Sequence, residues 1–300
     1  MNSAVLALVG LICFGLGYKY YSRFIEKNIY GLNQNDTLTP AHEFEDGIDF
    51  VPTGKHILFG HHFTSIAGAA PIVGPCIAAF WGWLPAFLWV IFGTIFMGAV
   101  HDFGSLVISI REKGQSIPII AEKVLNNRSK MMFLIFVLML VWLVLAVFSM
   151  VIANLFVSVP SAVLPINIEI IIALGIGWLL YKKKSSSLIL SLIALVILYG
   201  FVWIGTRFPL SFENFGLSIV DQTNLWIILL LIYAGIASLL PVWLLLQPRD
   251  FINSHQLIVG LIMIYSGLFI AQPMIEAPAI RLNVPDAPPI FPFLFVLHDC

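Results

Sequence analysis

The sequence has 300 residues, of which 60% are hydrophobic and only 10% are charged, and its mean hydropathy is +0.97. Soluble globular domains carry about 25% charged residues, so this composition excludes them and indicates a polytopic membrane protein. The formal net charge of -1 provides no basic surplus for binding nucleic acid. Three widely spaced cysteines form no CxxC pair, which excludes a disulfide framework and the usual zinc motifs.

The N-terminal apolar run, residues 4–21, is predicted to be an uncleaved membrane anchor. No positive residue precedes it, whereas Lys19 and Arg23 lie at its far end. A removable signal peptide shows the opposite charge order. We therefore expect this segment to stay in the protein, with the N-terminus on the outer side.

Apolar runs continue along the whole chain, and a run of about 20 residues is long enough to cross the hydrocarbon layer. By this criterion the sequence predicts eight spans and the opening of a further one. They are residues 4–21, 57–80, 84–108, 131–159, 166–181, 188–206, 225–247 and 256–273, with a further run from Ile290.

The positive residues support this assignment, because 13 of the 15 Lys and Arg side chains fall in alternate loops. The other loops hold only Arg207 and Arg281. Positive residues concentrate on the cytoplasmic side of membrane proteins. The sequence therefore predicts one membrane domain over residues 1–300, with residues 22–56 and 111–130 as cytoplasmic loops and Arg249 in another.

Two short segments of these inner loops have distinct characters. Residues 36–49 are acidic and rich in turn formers, which is typical of a solvated linker. Residues 115–127 place apolar side chains on one helical face, which predicts a short amphipathic helix on the inner leaflet.

The second predicted span contains GAAPIVGP at residues 68–75, and its two prolines predict that the helix unwinds there. Non-helical backbone at membrane depth is tolerated where it faces protein or a water-filled cavity. The half-helix starting near Pro75 would offer N–H groups to a carboxylate, and the half ending near Gly68 would offer carbonyls to a cation. The alternative is a kinked helix that packs through its small residues.

Ionisable residues near this break are candidates for proton coupling or for lining the substrate pathway. His61 and His62 precede the break, and neighbouring helical residues point about 100° apart, so we expect only one of them to face a given site. Asp102 follows His101 inside the next span and is the favoured titrating or cation-binding group. Interfacial histidines, and pairing of Asp102 with Arg111 or His62, are the alternatives.

Asn154 and Glu169 flank the stretch VPSAVLPIN, which is predicted to be a turn between two spans. Both residues are therefore expected at the outer membrane interface, without a role in a site.

Three long motifs carry a resemblance to a known family: HILFGHHFTSIAGAAPIVGP, GAVHDFGSLVISIREKGQSI and LPVWLLLQPRDFINS. Their order and spacing resemble the carbon starvation protein A family of bacterial membrane transporters over residues 1–297. The resemblance implies uptake of peptides or pyruvate across the inner membrane when carbon is short, the latter with protons.

That family in turn is similar to the amino acid–polyamine–organocation carriers, which are all-α bundles with a broken helix opening each of two inverted repeats. The resemblance implies that the broken helix borders the substrate at Gly68, Ala69, Pro71, Gly74 and Pro75. His61, His62 and Asp102 fall in the HHF and DF motifs. Where the family continues into further spans, this sequence ends in LHDC, which suggests the N-terminal part of a carrier.

The resulting interpretation is an all-α polytopic transporter without enzyme activity, metal or cofactor. Its expected partners are membrane lipid, a peptide or pyruvate, protons, and either a second copy or a second-half chain. Two alternatives remain open: a non-transporting accessory subunit, and a metal- or haem-binding membrane protein that uses His61, His62, His101 and Asp102.

Overall fold

The computed structural model describes residues 2–32, 38–68, 74, 79–183, 187–281 and 291. In these residues the secondary structure is helical, and one isolated bridge joins Asn2 to Met274. The predicted all-α class is confirmed. The finer likeness to the amino acid–polyamine–organocation carriers stays a prediction.

The described residues contain ten helices. They are α1 Ser3–Ile29, which includes two π-helical turns, α2 Pro40–Glu43, α3 Lys55–Ile66, α4 Trp83–Arg111, α5 Ile117–Val124, α6 Asn127–Ser158, α7 Val163–Lys183, α8 Ser187–Arg207, α9 Ile219–Ser238 and α10 Leu246–Ala271. Short 3₁₀ turns lie at Ala79–Trp81, Pro160–Ala162 and Phe212–Phe215.

Within the described residues, seven helices are long and apolar enough to cross a membrane: α1, α4, α6, α7 with its preceding 3₁₀ turn, α8, α9 and α10. They overlap seven of the eight spans predicted from the sequence. The remaining predicted span, residues 57–80, is helical in α3, and residues 69–73 and 75–78 lie outside the described residues. The run from Ile290 also lies outside them, apart from Phe291.

The helix ends follow ordinary capping rules. The Asn126 side chain accepts a hydrogen bond from the Ser129 N–H at 2.9 Å and starts α6. Ser218 starts α9 by accepting from the Asp221 N–H at 3.2 Å while donating to its carboxylate at 2.6 Å. Side chains of this type satisfy N–H groups that have no partner inside the helix.

Two segments predicted in loops have the expected local structure, and their inner-side location stays a prediction. The amphipathic segment forms α5. In the acidic linker, Asp46 accepts hydrogen bonds from the N–H groups of Ile48, Asp49 and Phe50 at 2.8, 2.9 and 2.9 Å. These bonds, from Ile48 first and then Phe50, hold the pKa of Asp46 below its usual value.

The chain divides into two compact units, whose boundaries lie after α2, after α3, and inside α5 and α10. The first comprises Met1–Glu43, Ala67–Ile120 and Gly260–Cys300. In it α1 packs on α4, where Tyr21 and Phe96 meet edge to face with ring centroids 4.9 Å apart. The backbone of Gly82, at φ 102°, lies so close to Ala279 that an added Cβ would be 2.5 Å from its carbonyl oxygen.

The second unit comprises Phe44–Ile66 and Ala121–Val259. Its apolar core joins α7, α8 and the start of α10 through six buried side chains: Ala173, Ile176, Ala194, Leu198, Leu245 and Ile252. On its other side α6 packs along α9, where Phe156 and Trp226 meet edge to face at 4.9 Å. This unit holds the buried ionisable residues described below.

Two sequence predictions about this unit are wrong. Arg249 was expected in a loop, but it lies in the first turn of α10. Pro248 is compatible with helix there, because N–H groups of the first turn have no intrahelical partner to lose. The stretch VPSAVLPIN was expected to be a turn, yet it is helical from Pro160 onward, so that Glu169 lies near the middle of the candidate span Pro160–Leu180.

Close packing of α7 on the start of α10 depends on Gly177. A Cβ at this position would lie 2.9 Å from the carbonyl carbon of Leu244 and 3.1 Å from Pro248 Cγ. We expect Gly177→Ala to lower the free energy of unfolding by about 1–3 kcal/mol, as overpacked sites do. Detergent-solubilised protein unfolded with increasing denaturant would measure this change.

The matched control is Gly175→Ala, two residues earlier on the same helix, where an added Cβ meets nothing within 4 Å. Alanine is favoured over glycine inside a helix by about 0.5–1 kcal/mol, so this variant should be neutral or slightly stabilised. Equal effects of the two substitutions would contradict the close approach at Gly177.

Candidate functional site

The site is built around two charged residues near the start of α10, Arg249 and Asp250. Arg249 donates from Nε and Nη2 to Oδ1 of Asp250, at 3.3 and 3.2 Å. Asp250 is only 5% exposed, whereas the Arg249 side chain is partly exposed. A buried carboxylate requires a charged partner or several hydrogen bonds, and Arg249 supplies the first of these.

Helix α3 supplies the second partner of Asp250. His61 Nδ1 lies 2.8 Å from Asp250 Oδ2. Because a carboxylate only accepts, the imidazole carries the hydrogen on Nδ1 and donates it. Thr64, one turn later, donates from Oγ1 to the backbone oxygen of Asp250 at 2.8 Å. Helix α3 is therefore joined to α10 both at the side chain and at the backbone of one residue.

Gly60 explains how α3 comes this close to α10. A Cβ on Gly60 would lie 2.8 Å from a ring carbon of Phe251 and 2.8 Å from the hydroxyl of Ser254, both of which are buried. Only glycine leaves the room for this approach. The residue immediately before His61 thus sets the distance at which the imidazole meets Asp250.

Helix α9 contributes Tyr233, whose hydroxyl oxygen accepts a hydrogen bond from Arg249 Nη1 at 3.3 Å. The Arg249 guanidinium therefore has one partner on its own helix and another on α9. Since Arg stays protonated in proteins, this position supplies a permanent positive charge.

Helix α7 contributes Glu169, which is 8% exposed. Its carboxyl group interacts electrostatically with Arg249 and Asp250 and is within hydrogen-bonding reach of the Asn253 side chain. Its Oε1 atom is buried and has no hydrogen-bond partner among the described residues. The expectation that Glu169 lies at the outer interface is wrong, because the carboxyl group points into the unit beside α10.

The residues predicted for proton coupling have different environments. His61 is half-buried on Asp250, whereas the neighbouring His62 is exposed, in keeping with their expected divergence around the helix. Asp102 belongs to the other unit, where its carboxylate lies 3.3 Å from Nδ1 of His101 and both side chains are exposed. Arg111, one of its expected partners, donates to the carbonyl of Tyr30.

The residues predicted to border the substrate are only partly described. Helix α3 ends at Ile66, and Gly68 follows in non-helical conformation. Gly74 is helical and buried. Ala69, Pro71 and Pro75 lie outside the described residues, so the predicted break between Gly68 and Pro75 stays a prediction.

The arrangement suits proton binding better than metal binding. Among the described residues, no group of three or more His, Cys, Asp and Glu side chains is placed to hold a metal ion. Four ionisable side chains on α3, α7 and α10 meet here instead: His61, Glu169, Arg249 and Asp250. One of them, Arg249, carries a permanent positive charge, which a metal-binding cluster does not need. Sequence reasoning had identified only His61 among them.

Comparisons with known proteins agree on one family. The family described as Carbon starvation protein CstA matches residues 2–300. The peptide transporter CstA of Bacillus subtilis is 34% identical over 305 residues, which cover 100% of this chain and 50% of that protein. The pyruvate/proton symporter BtsT of Escherichia coli is 30% identical over 291 residues, covering 95% of this chain and 40% of that protein.

A third relative, the peptide transporter CstA of Escherichia coli, is 33% identical over 312 residues and is covered to 43% of its length. The chain thus spans about half the length of the curated relatives it matches, or less. No solved structure matches it.

The pair Arg249–Asp250 can be tested with a double-mutant cycle. We expect Arg249→Met to lower the free energy of unfolding by about 3 kcal/mol, because it leaves the Asp250 charge buried without its cation. The double variant Arg249→Met/Asp250→Asn should lose less than the two single losses added together. Unfolding in detergent measures all three variants, and a coupling of about 1–3 kcal/mol is expected.

The control cycle uses Lys130 and Glu122, a pair of the same unit with N–O distance 2.7 Å whose side chains are about one third exposed. A pair of this exposure should couple by less than about 1 kcal/mol. Coupling at Arg249–Asp250 no larger than in this control would show that the pair is not a buried one.

Proposed function

Because this chain belongs to the carbon starvation protein CstA family, we propose that it forms part of a bacterial inner-membrane transporter for peptides or pyruvate that moves protons with its substrate. The relatives support the substrate classes by name, since one group is named peptide transporter and another pyruvate/proton symporter. Both substrates carry a carboxylate. Transport itself makes and breaks no covalent bond of the substrate, so no catalytic residue is assigned.

The observation that carries this proposal is the hydrogen-bonded group of ionisable side chains on α3 and α10, of which Asp250 is buried. His61, Arg249 and Asp250 are joined by hydrogen bonds within helices of a membrane protein. Ionisable side chains within membrane helices are costly and mark ion, proton or substrate pathways. A protein needing only mechanical stability would fill the same space with apolar side chains at lower cost.

We place the substrate carboxylate at the segment that follows α3. Helix α3 ends two residues before Gly68, and the small residues Gly68, Ala69 and Gly74 lie in the segment that follows. Gly68, Ala69, Pro71, Gly74 and Pro75 form the proposed binding segment, with His61, His62 and Asp102 as pathway or proton-coupling residues. Support comes from the position of the helix end, from the room that small residues leave for a ligand, and from the resemblance to carriers with broken helices.

We propose an N-terminus on the outer side, because the positive residues concentrate in alternate loops. In a background without the three native cysteines, Asn2→Cys should react with a membrane-impermeant maleimide in intact cells. Arg128→Cys, in a predicted inner loop, should react only after the cells are opened. The reverse pattern would contradict the orientation.

Uptake into cells tests the proposed transport. The gene for this chain, expressed in a strain that lacks its own pyruvate and peptide uptake, should support accumulation of labelled pyruvate or of a labelled dipeptide. Competition of unlabelled dipeptide with labelled pyruvate, and of unlabelled pyruvate with labelled dipeptide, identifies the substrate. A protonophore should abolish accumulation, because the proton gradient supplies the driving force. A second chain or a second copy is the expected partner, and crosslinking in the same cells detects it.

Accumulation of neither compound above cells with an empty vector would contradict the proposed transport. Accumulation that persists with the protonophore would contradict only the proton coupling. Asp102→Asn then tests one pathway residue: it removes a carboxylate from the proposed pathway, so uptake should become slower. An unchanged rate of uptake would exclude Asp102 from the pathway.

A further inference from the structure

We propose that four side chains of the second unit, His61, Glu169, Arg249 and Asp250, bind one exchangeable proton, and that this proton is the one moved with the substrate. These four residues are called the one-proton cluster below. The inference rests on the proton-coupled transport proposed above and assigns the coupling to a specific set of residues. It gives Glu169 a role that the sequence pattern did not indicate.

The charge of the cluster favours the binding of one proton. Arg249 contributes one positive charge and Asp250 one negative charge, and these two groups are directly paired. With Glu169 ionised and His61 neutral, the cluster carries a net negative charge in a setting where Asp250 and Glu169 are both more than nine-tenths buried. An uncompensated charge in such a place is expensive. One added proton makes the cluster neutral, and Glu169 is the group placed to take it.

The hydrogen bonding of Glu169 favours a protonated carboxyl group. An ionised carboxylate accepts at both oxygens, yet Oε1 is buried without a donor among the described residues. Leaving a buried acceptor unsatisfied costs about 1–3 kcal/mol, and more for a charged group. Protonation converts this oxygen to a neutral hydroxyl or carbonyl, which removes the charge from the unsatisfied position. The geometry of Glu169 thus suits a carboxyl group that holds a proton.

Asp250 and Arg249 are not free to take that proton. Asp250 already accepts from Arg249 at Oδ1 and from His61 at Oδ2. Arg249 is always protonated. His61 donates from Nδ1 to Asp250, and its ring is partly exposed. Glu169 therefore holds the proton, and Arg249–Asp250 provides the fixed charges beside it.

Other polar groups near the cluster are engaged elsewhere or neutral. Tyr233 on α9 accepts from Arg249, and Asn253 on α10 is the neutral neighbour of Glu169. His255, further along α10, lies with its Nδ1 2.7 Å from the backbone oxygen of Phe251 and packs edge to face on that ring. The charged groups that act on Glu169 are Arg249 and Asp250.

The transport step balances with one proton. A proton from the water on the side of uptake binds to the cluster, which changes its net charge from -1 to zero. The loaded protein reorients, and the proton leaves to the other side, which restores the net negative charge. Only an O–H or N–H bond forms and breaks, so no oxidant or reductant is needed.

The test compares the unchanged protein with Glu169→Gln, which keeps the size of the side chain and removes its proton. With the membrane potential clamped at zero, one proton per substrate permits about tenfold accumulation per pH unit of gradient. We expect Glu169→Gln to reduce this ratio to about one, while exchange of labelled for unlabelled substrate across the membrane continues. Continued exchange shows that the variant is folded and binds substrate.

Glu213→Gln is the matched control, because Glu213 belongs to the same unit and is exposed. It should accumulate substrate as the unchanged protein does. Gradient-driven accumulation that survives in Glu169→Gln would overturn the one-proton cluster and leave the proposed transport intact. Accumulation that follows a sodium gradient instead would also overturn it.

A measurement without transport keeps the inference testable if uptake fails or the variant is unstable. Infrared spectra of the purified protein should show a protonated carboxyl band that disappears as pH is raised from about 6 to 9, since exposed carboxylates are already ionised at about pH 6. The band should be absent in Glu169→Gln and present in Glu213→Gln. Absence of any such band in the unchanged protein would overturn the cluster, whatever the outcome of the uptake experiment.

Discussion

The buried carboxylate of Asp250 is the constraint around which the second unit is arranged. A carboxylate that is 5% exposed must be surrounded by donors, and those donors come from different parts of the chain. Arg249 supplies two of them from α10, and His61 supplies another from α3. Arg249 in turn is held by Tyr233 on α9. The hydrogen bonds that stabilise this one charge therefore hold α3, α9 and α10 together. If any donor is lost, the remaining donors cannot replace its hydrogen bond to the buried carboxylate.

Small residues make this arrangement possible, because charged groups can pair only where the backbones approach closely. Gly60 brings α3 against Phe251 and Ser254, and Gly177 brings α7 against Leu244 and Pro248. Without a hydrophobic driving force between helices in lipid, close packing of this kind supplies much of the association energy. The same contacts that hold the helices together also set the distances of the polar groups, so packing and chemistry cannot be changed independently here.

Much of the fold could be predicted from the sequence, because membrane spans depend on local apolar composition. Seven of the eight predicted spans coincide with long apolar helices among the described residues. The divergence of His61 and His62 also followed from helix geometry alone. These features depend on residues close together in the chain, where composition and periodicity are informative.

The site could not be predicted in the same way, because its partners are distant in sequence. Arg249 and Asp250 follow Pro248 in a polar stretch, and such a stretch ordinarily indicates a loop. Proline in a first helical turn gives no separate signal. Glu169 was assigned to the interface because VPSAVLPIN resembles a turn, although its prolines lie at the start of a helix. Both errors shifted a span end by several residues and moved a buried charge to the surface.

The buried charges of the cluster cost stability, so their presence needs an explanation other than stability. Replacing a buried ion pair by well-packed apolar side chains is often neutral or stabilising, so stability does not account for Arg249 and Asp250. Glu169 adds a further cost through the unsatisfied Oε1. Three ionisable groups that a more stable protein would do without, joined by a hydrogen bond to His61, form a set whose net negative charge is neutralised by a single proton. Since a static support gains nothing from that property, the cluster is better explained by proton movement than by packing.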